Sequence, residues 1–125
     1  MSGHAKNLRE VLDARPRDRL IAAPGVYDMV SLRMAARMGF DALYMTGYGT
    51  VASHLGLPDA GLASYSDMAN RVEVMARMTH APLIADGDTG YGGLLRRCPK
   101  TIASFHETSA RCCSSILDGM SLVSC

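Results

Sequence analysis

Asp86 and Asp88 flank a single glycine at the end of the apolar run Pro82-Leu83-Ile84-Ala85. Two carboxylates so spaced at a strand end can approach one hard cation together. Mg²⁺ suits such a pair, because it takes one or two carboxylates, keeps several waters and draws its remaining oxygens from substrate. The same aspartates can equally satisfy turn amides, Asp-Gly being a common turn pair, and spacing alone leaves both readings open. A second segment, Thr46-Gly47-Tyr48-Gly49-Thr50-Val51-Ala52, has the form of the dinucleotide fingerprint G-x-G-x-x-A. That fingerprint requires a helix whose N-terminus holds a pyrophosphate. Gly56, Pro58 and Gly61 are expected to break such a helix within about two turns. Backbone amides offered to a carboxylate or phosphate, an ordinary turn, and a dinucleotide-binding half-domain therefore stand side by side here.

Other polar residues carry less. Asp59, within Leu57-Pro58-Asp59-Ala60-Gly61, reads by pattern as a turn residue before it reads as a ligand. Tyr27 reads as a wall or core tyrosine before it reads as one that faces the same site. His4, His54, His80 and His106 share no metal-ligand spacing, and Cys98, Cys112, Cys113 and Cys125 suggest neither a disulfide scaffold nor a zinc site.

The elements that must position these residues alternate. Leu8, Val11 and Leu12 have helical spacing within 5–14. Arg19 to Ala23 is a short apolar run stopped by Pro24-Gly25, which predicts a strand and then a turn. Asp28 is placed to cap a helix with Val30, Met34 and Met38 at i, i+4 and i+8, Leu32 and Ala35 near the same side, and Gly39 at its end. Residues 41–46 predict a second strand and 46–63 a long loop. Ser64 or Ser66 caps a third helix that presents Met68, Val72, Met75 and Met78. Residues 82–86 predict a third strand.

Strands alternating with helices imply an α/β fold with parallel strands and right-handed crossovers. Each strand runs into a polar or Gly-rich loop, at Pro24–Asp28, Thr46–Gly49 and Asp86–Gly90. Ligands bind at the C-terminal ends of strands in such folds, so one site built from three strand ends is expected.

Composition narrows the field. The chain has 125 residues, 48% of them hydrophobic, and a net charge of +1. Its 13 basic residues are spread along the sequence with no block to track phosphates, which argues against nucleic acid as a partner. No apolar run approaches a bilayer span and the N-terminus lacks an apolar signal core, so no membrane association and a cytoplasmic location are expected.

Pro24-Gly25-Val26-Tyr27-Asp28, Gly39-Phe40-Asp41-Ala42-Leu43-Tyr44-Met45-Thr46-Gly47, Leu55-Gly56-Leu57-Pro58-Asp59 and Pro82 to Gly92 occur in this order. Together they resemble the isocitrate lyase/phosphoenolpyruvate mutase superfamily from about residue 8 to residue 95. The resemblance implies a (β/α)₈ TIM-type barrel, of which the chain would hold about three strands, since such barrels need roughly 250 residues. It also implies Mg²⁺ and a small 2-hydroxy or 2-oxo carboxylic acid substrate, cleaved or rearranged next to a carboxylate through a pyruvate-type enolate. Members include methylisocitrate and dimethylmalate lyases, oxaloacetate decarboxylases, and phosphonate mutases and hydrolases, and full-length members are expected to be homo-oligomers.

Residue by residue, Asp86 and Asp88 match the family's metal aspartates. Tyr44, Thr46, Gly47 and Tyr48 match the segment that holds the substrate carboxylate, and Asp59 matches an acidic position near the metal. Residues 1–95 are thus expected to be the N-terminal part of the barrel, and 96–125 a Cys/Ser-rich tail outside the family. The family's next acidic strand end and its cysteine-bearing catalytic loop have no counterpart. Arg96-Arg97-Cys98-Pro99-Lys100 comes one βα unit too early to be that loop. The change after Leu95 is expected to mark a shifted frame, an alternative exon or a gene-model error. The chain itself is expected to be catalytically inactive, or an inert partner of a full-length homologue.

Overall fold

The computed structural model describes residues 8–87. Asp88, the expected tail at 96–125 and all the cysteines lie outside the described residues. The order of elements is α1 (Leu8–Ala14), β1 (Gly25–Val26), α2 (Met29–Arg37), β2 (Leu43–Met45), α3 (Gly47–Leu55), α4 (Tyr65–Arg77) and β3 (Leu83–Ala85). The strands form one parallel sheet in the order β1-β2-β3. Gly25 and Val26 pair with Tyr44 and Met45, and Leu43, Tyr44 and Met45 pair with Leu83, Ile84 and Ala85.

Register decides the layers, because paired residues of parallel strands point to the same face. Val26, Leu43, Met45 and Leu83 are buried in one cluster with Leu32 and Ala35 of α2, Val51 of α3, and Met68, Val72, Met75 and Ala76 of α4. Gly25, Tyr44 and Ile84 share the opposite, more open face.

The first strand lies later than the expected 19–23. Leu20 is 88% exposed, and Arg19 instead reaches Asp41 in an ion pair. The ladder begins where the Tyr44 amide donates to the Pro24 carbonyl and continues where the Thr46 amide donates to the Val26 carbonyl. Pro24 looked like a stop signal, yet the first residue of a strand needs no donor, and Val26 is the side chain that enters the buried layer beside Met45.

The helices are pinned by their caps. Asp28 Oδ1 accepts from the Ser31 amide at 2.7 Å while the Ser31 hydroxyl oxygen accepts from the Asp28 amide, a reciprocal capping box. Ser64 and Asp67 make the same arrangement at α4. The buried face of α2 differs from the expected one. Leu32 and Ala35 face the sheet, whereas Val30, Met34 and Met38 are exposed. The helix carries two apolar stripes, and the one with the small alanines, Ala35 and the half-buried Ala36, packs on the sheet. On α4 the expected Met68, Val72 and Met75 are buried, but Met78 lies at the C-cap and is half exposed.

Where a loop was expected over 46–63, α3 occupies the first half. Gly56 ends it with a φ of 66°, in the left-handed region that glycine adopts without penalty, and its amide donates to the Ala52 carbonyl. Among the described residues, no helix is long and apolar enough to cross a membrane.

Candidate functional site

Because β1, β2 and β3 are parallel, their C-terminal ends lie along one edge of the sheet. Val26, Met45 and Ala85 end the strands, and Tyr27, Thr46 and Asp86 follow them. The Asp86 amide extends the ladder by donating to the Met45 carbonyl at 3.1 Å, which holds Asp86 beside the start of α3.

Asp86 Oδ2 accepts two hydrogen bonds. One comes from the Tyr44 hydroxyl at 3.1 Å and the other from the Gly47 amide at 3.1 Å. Gly47 is the first residue of α3, so the carboxylate meets one of the four N–H groups that a helix leaves without an intrahelical partner, at the positive end of its dipole. Burial is the main reason that the Tyr44 phenol is held above its usual pKa, with the Asp86 charge and hydrogen bond adding in the same direction.

Asp59 approaches the same place from the loop after α3. A Cβ on Gly47 would lie 2.8 Å from Asp86 Oδ2 and 3.4 Å from Asp59 Oδ2. A side chain there would force the Asp86 carboxylate out of its place. Thr46 is wedged in the adjoining turn, with its Cγ2 2.9 Å from the position a Cβ on Gly25 would take. Its hydroxyl oxygen and the Tyr27 Cβ both lie 2.7 Å from the corresponding position on Gly49. Tyr48 is exposed on the first turn of α3.

Of the residues expected to form the site, Tyr44, Gly47, Asp59 and Asp86 come together, Thr46 sits in the adjoining turn against Gly25 and Gly49, and Tyr48 is exposed. Asp28 is engaged in capping α2. A dinucleotide reading fares poorly. Both fingerprint glycines lie within α3 rather than in the turn before it, and the leading amide already meets a carboxylate.

The hydrogen bond between Tyr44 and Asp86 is what the sequence reading missed. Its signal was the alternation Leu43-Tyr44-Met45, which turns the tyrosine away from the two buried neighbours. Among the described residues no three His, Cys, Asp or Glu side chains cluster as a metal centre. The carboxylates of Asp59 and Asp86 nevertheless offer hard oxygen donors of the kind Mg²⁺ takes, so the residues present fit that ion.

Residues 8–118 match the family model described as phosphoenolpyruvate phosphomutase. A 2,3-dimethylmalate lyase of Eubacterium barkeri is 43% identical over 88 residues, which is 70% of this chain and 29% of that enzyme. The structure superimposes on oxaloacetate acetylhydrolase with a TM-score of 0.74 and 44% identity, covering 84% of this chain and 36% of that one. It matches phosphonopyruvate hydrolase, solved with oxalate and Mg²⁺, with a TM-score of 0.68 and 25% identity over 82% of this chain and 34% of that one. The chain thus spans about a third of the length of these relatives. Its parallel sheet and helices correspond to part of their TIM-type barrel.

Proposed function

The chain belongs to the phosphoenolpyruvate phosphomutase family, and on that footing we propose that its strand ends hold Mg²⁺ and a small 2-oxo or 2-hydroxy carboxylic acid. The observation that carries this reading is the convergence of Asp86 and Asp59 at Gly47, with Tyr44 and the Gly47 amide fixing Asp86. Asp86 would hold the cation together with Asp88, which lies outside the described residues, and Asp59 would add a further carboxylate from the loop. Bound there, Mg²⁺ would act as a Lewis acid for negative charge developing on a substrate oxygen next to the carboxylate. Thr46 and Tyr48, on either side of Gly47 in sequence, would meet that carboxylate.

The chemistry assigned is cleavage of a carbon–carbon bond. Identity is 43–44% with dimethylmalate lyase and oxaloacetate acetylhydrolase and 40% with a carboxyvinyl-carboxyphosphonate phosphorylmutase of Arabidopsis thaliana, so phosphonate chemistry is the second reading. To the strand ends around Asp86 we assign the binding of the cation and the acid that this chemistry requires. Incubation with Mg²⁺ and dimethylmalate, methylisocitrate or oxaloacetate tests this. The acids should be bound when Mg²⁺ is present and not in its absence. Turnover abolished by Asp88→Ala would show that the described strands and their short continuation suffice for catalysis.

A further inference from the structure

We infer that Tyr44 is a positioning residue, whose hydroxyl orients the Asp86 carboxylate for a divalent cation and does not itself bind the substrate. The inference rests on the reading of Asp86 as the cation's carboxylate.

Tyr44 is the central residue of β2, between Leu43 and Met45, both fully buried. Hydrogen bonding to β1 and β3 fixes the backbone of β2 on both sides, and register places Gly25 and Ile84 beside Tyr44 on its own face. A phenol on so constrained a backbone is a donor at a defined place. It reaches the residue just beyond β3 and lands on the oxygen that the first amide of α3 also reaches.

Two donors from different elements meet one acceptor. A carboxylate oxygen has two lone pairs, so Oδ2 has both engaged from the protein side. The orientation of the carboxylate is thereby set by β2 and α3 together. A lone hydrogen bond from either would leave it free to rotate about that bond. Partners of this kind behind a metal ligand change metal affinity by about 10- to 100-fold when removed. A donor already directed at Asp86 is also poorly placed to meet a substrate oxygen.

Mn²⁺ serves as a spectroscopic stand-in for Mg²⁺, added to the full 125-residue chain and followed by electron paramagnetic resonance. The variants are Tyr44→Phe, which keeps the ring and removes only the donor, and Ile84→Val, which trims packing on the same sheet face without touching a donor. Tyr44→Phe should bind Mn²⁺ about tenfold more weakly and alter the spectrum of the bound ion, while Ile84→Val should do neither. With Mn²⁺ saturating, oxalate affinity of Tyr44→Phe should equal that of the parent chain. Unchanged Mn²⁺ affinity with weakened oxalate binding would overturn the inference and make Tyr44 a substrate contact. Equal loss in Ile84→Val would overturn it in favour of a purely packing role. A parent chain that binds no Mn²⁺ would overturn the metal reading and this inference together.

Discussion

The hydroxyl of Tyr44 and the carboxylate of Asp86 are 42 residues apart in sequence and 3.1 Å apart in space, joined by a hydrogen bond from the second strand to the end of the third. The parallel register of β2 and β3 produces this closeness, and the amide of Gly47 completes it from the next helix.

Gly47→Ala tests the cradle. An added methyl would sit 2.8 Å from Asp86 Oδ2, inside van der Waals contact, so the carboxylate must move. Helix propensity by itself favours alanine over glycine. The variant should nonetheless lose cation affinity, measured by Mn²⁺ titration, and about 1–3 kcal/mol of stability in urea unfolding. Unchanged affinity would mean that Asp86 is not held as described.

The two stripes of α2 should respond oppositely. Leu32→Ala removes a side chain with no exposed surface and should cost about 2–5 kcal/mol. Met34→Gln changes a side chain that is 63% exposed and should alter stability by no more than about 0.5 kcal/mol. Denaturant unfolding of both variants decides which stripe faces the sheet.

Thr50 is 1% exposed on α3, and among the described residues its hydroxyl oxygen has no hydrogen-bond partner. Burying an unpaired hydroxyl is unfavourable, so Thr50→Val should be neutral or stabilising by about 1 kcal/mol in the same assay. Marked destabilisation would reveal a partner for that hydroxyl.

Both capping aspartates should contribute to acid sensitivity. The Ser31 amide holds the Asp28 carboxyl below its ordinary 3.8, and the Ser64 hydroxyl does the same for Asp67. A carboxyl depressed in the folded state stabilises it fully above the unfolded pKa, and that contribution is lost as pH falls through the folded one. The contribution should therefore fade as pH falls below about 4. The double variant Asp28→Asn, Asp67→Asn should show a flatter decline of melting temperature in that range. An unchanged decline would mean that the caps do not set it.

Much of this arrangement was legible in the sequence, for reasons that differ by element. Asp28 and Ser64 announce helix starts through short-range chemistry, and the apolar runs before Thr46 and Asp86 mark two strands. The phase of α2 was not legible, because Val30-Met34-Met38 and Leu32-Ala35 are both plausible faces and only contact with the sheet selects one. β1 was misplaced because local apolarity favours 19–23, whereas pairing with β2 selects Gly25–Val26. The alternation Leu43-Tyr44-Met45 turns Tyr44 away from its buried neighbours, but its bond to Asp86 depends also on the register of β2 against β3, which that alternation does not encode.

The central claim, that the strand ends around Asp86 bind an acid through a divalent cation, is tested most directly by calorimetric titration of oxalate into the full chain with and without Mg²⁺. Binding heat should appear only when Mg²⁺ is present and should be abolished by Asp86→Asn. Oxalate binding that needs no Mg²⁺, or that survives the loss of the Asp86 charge, would contradict it.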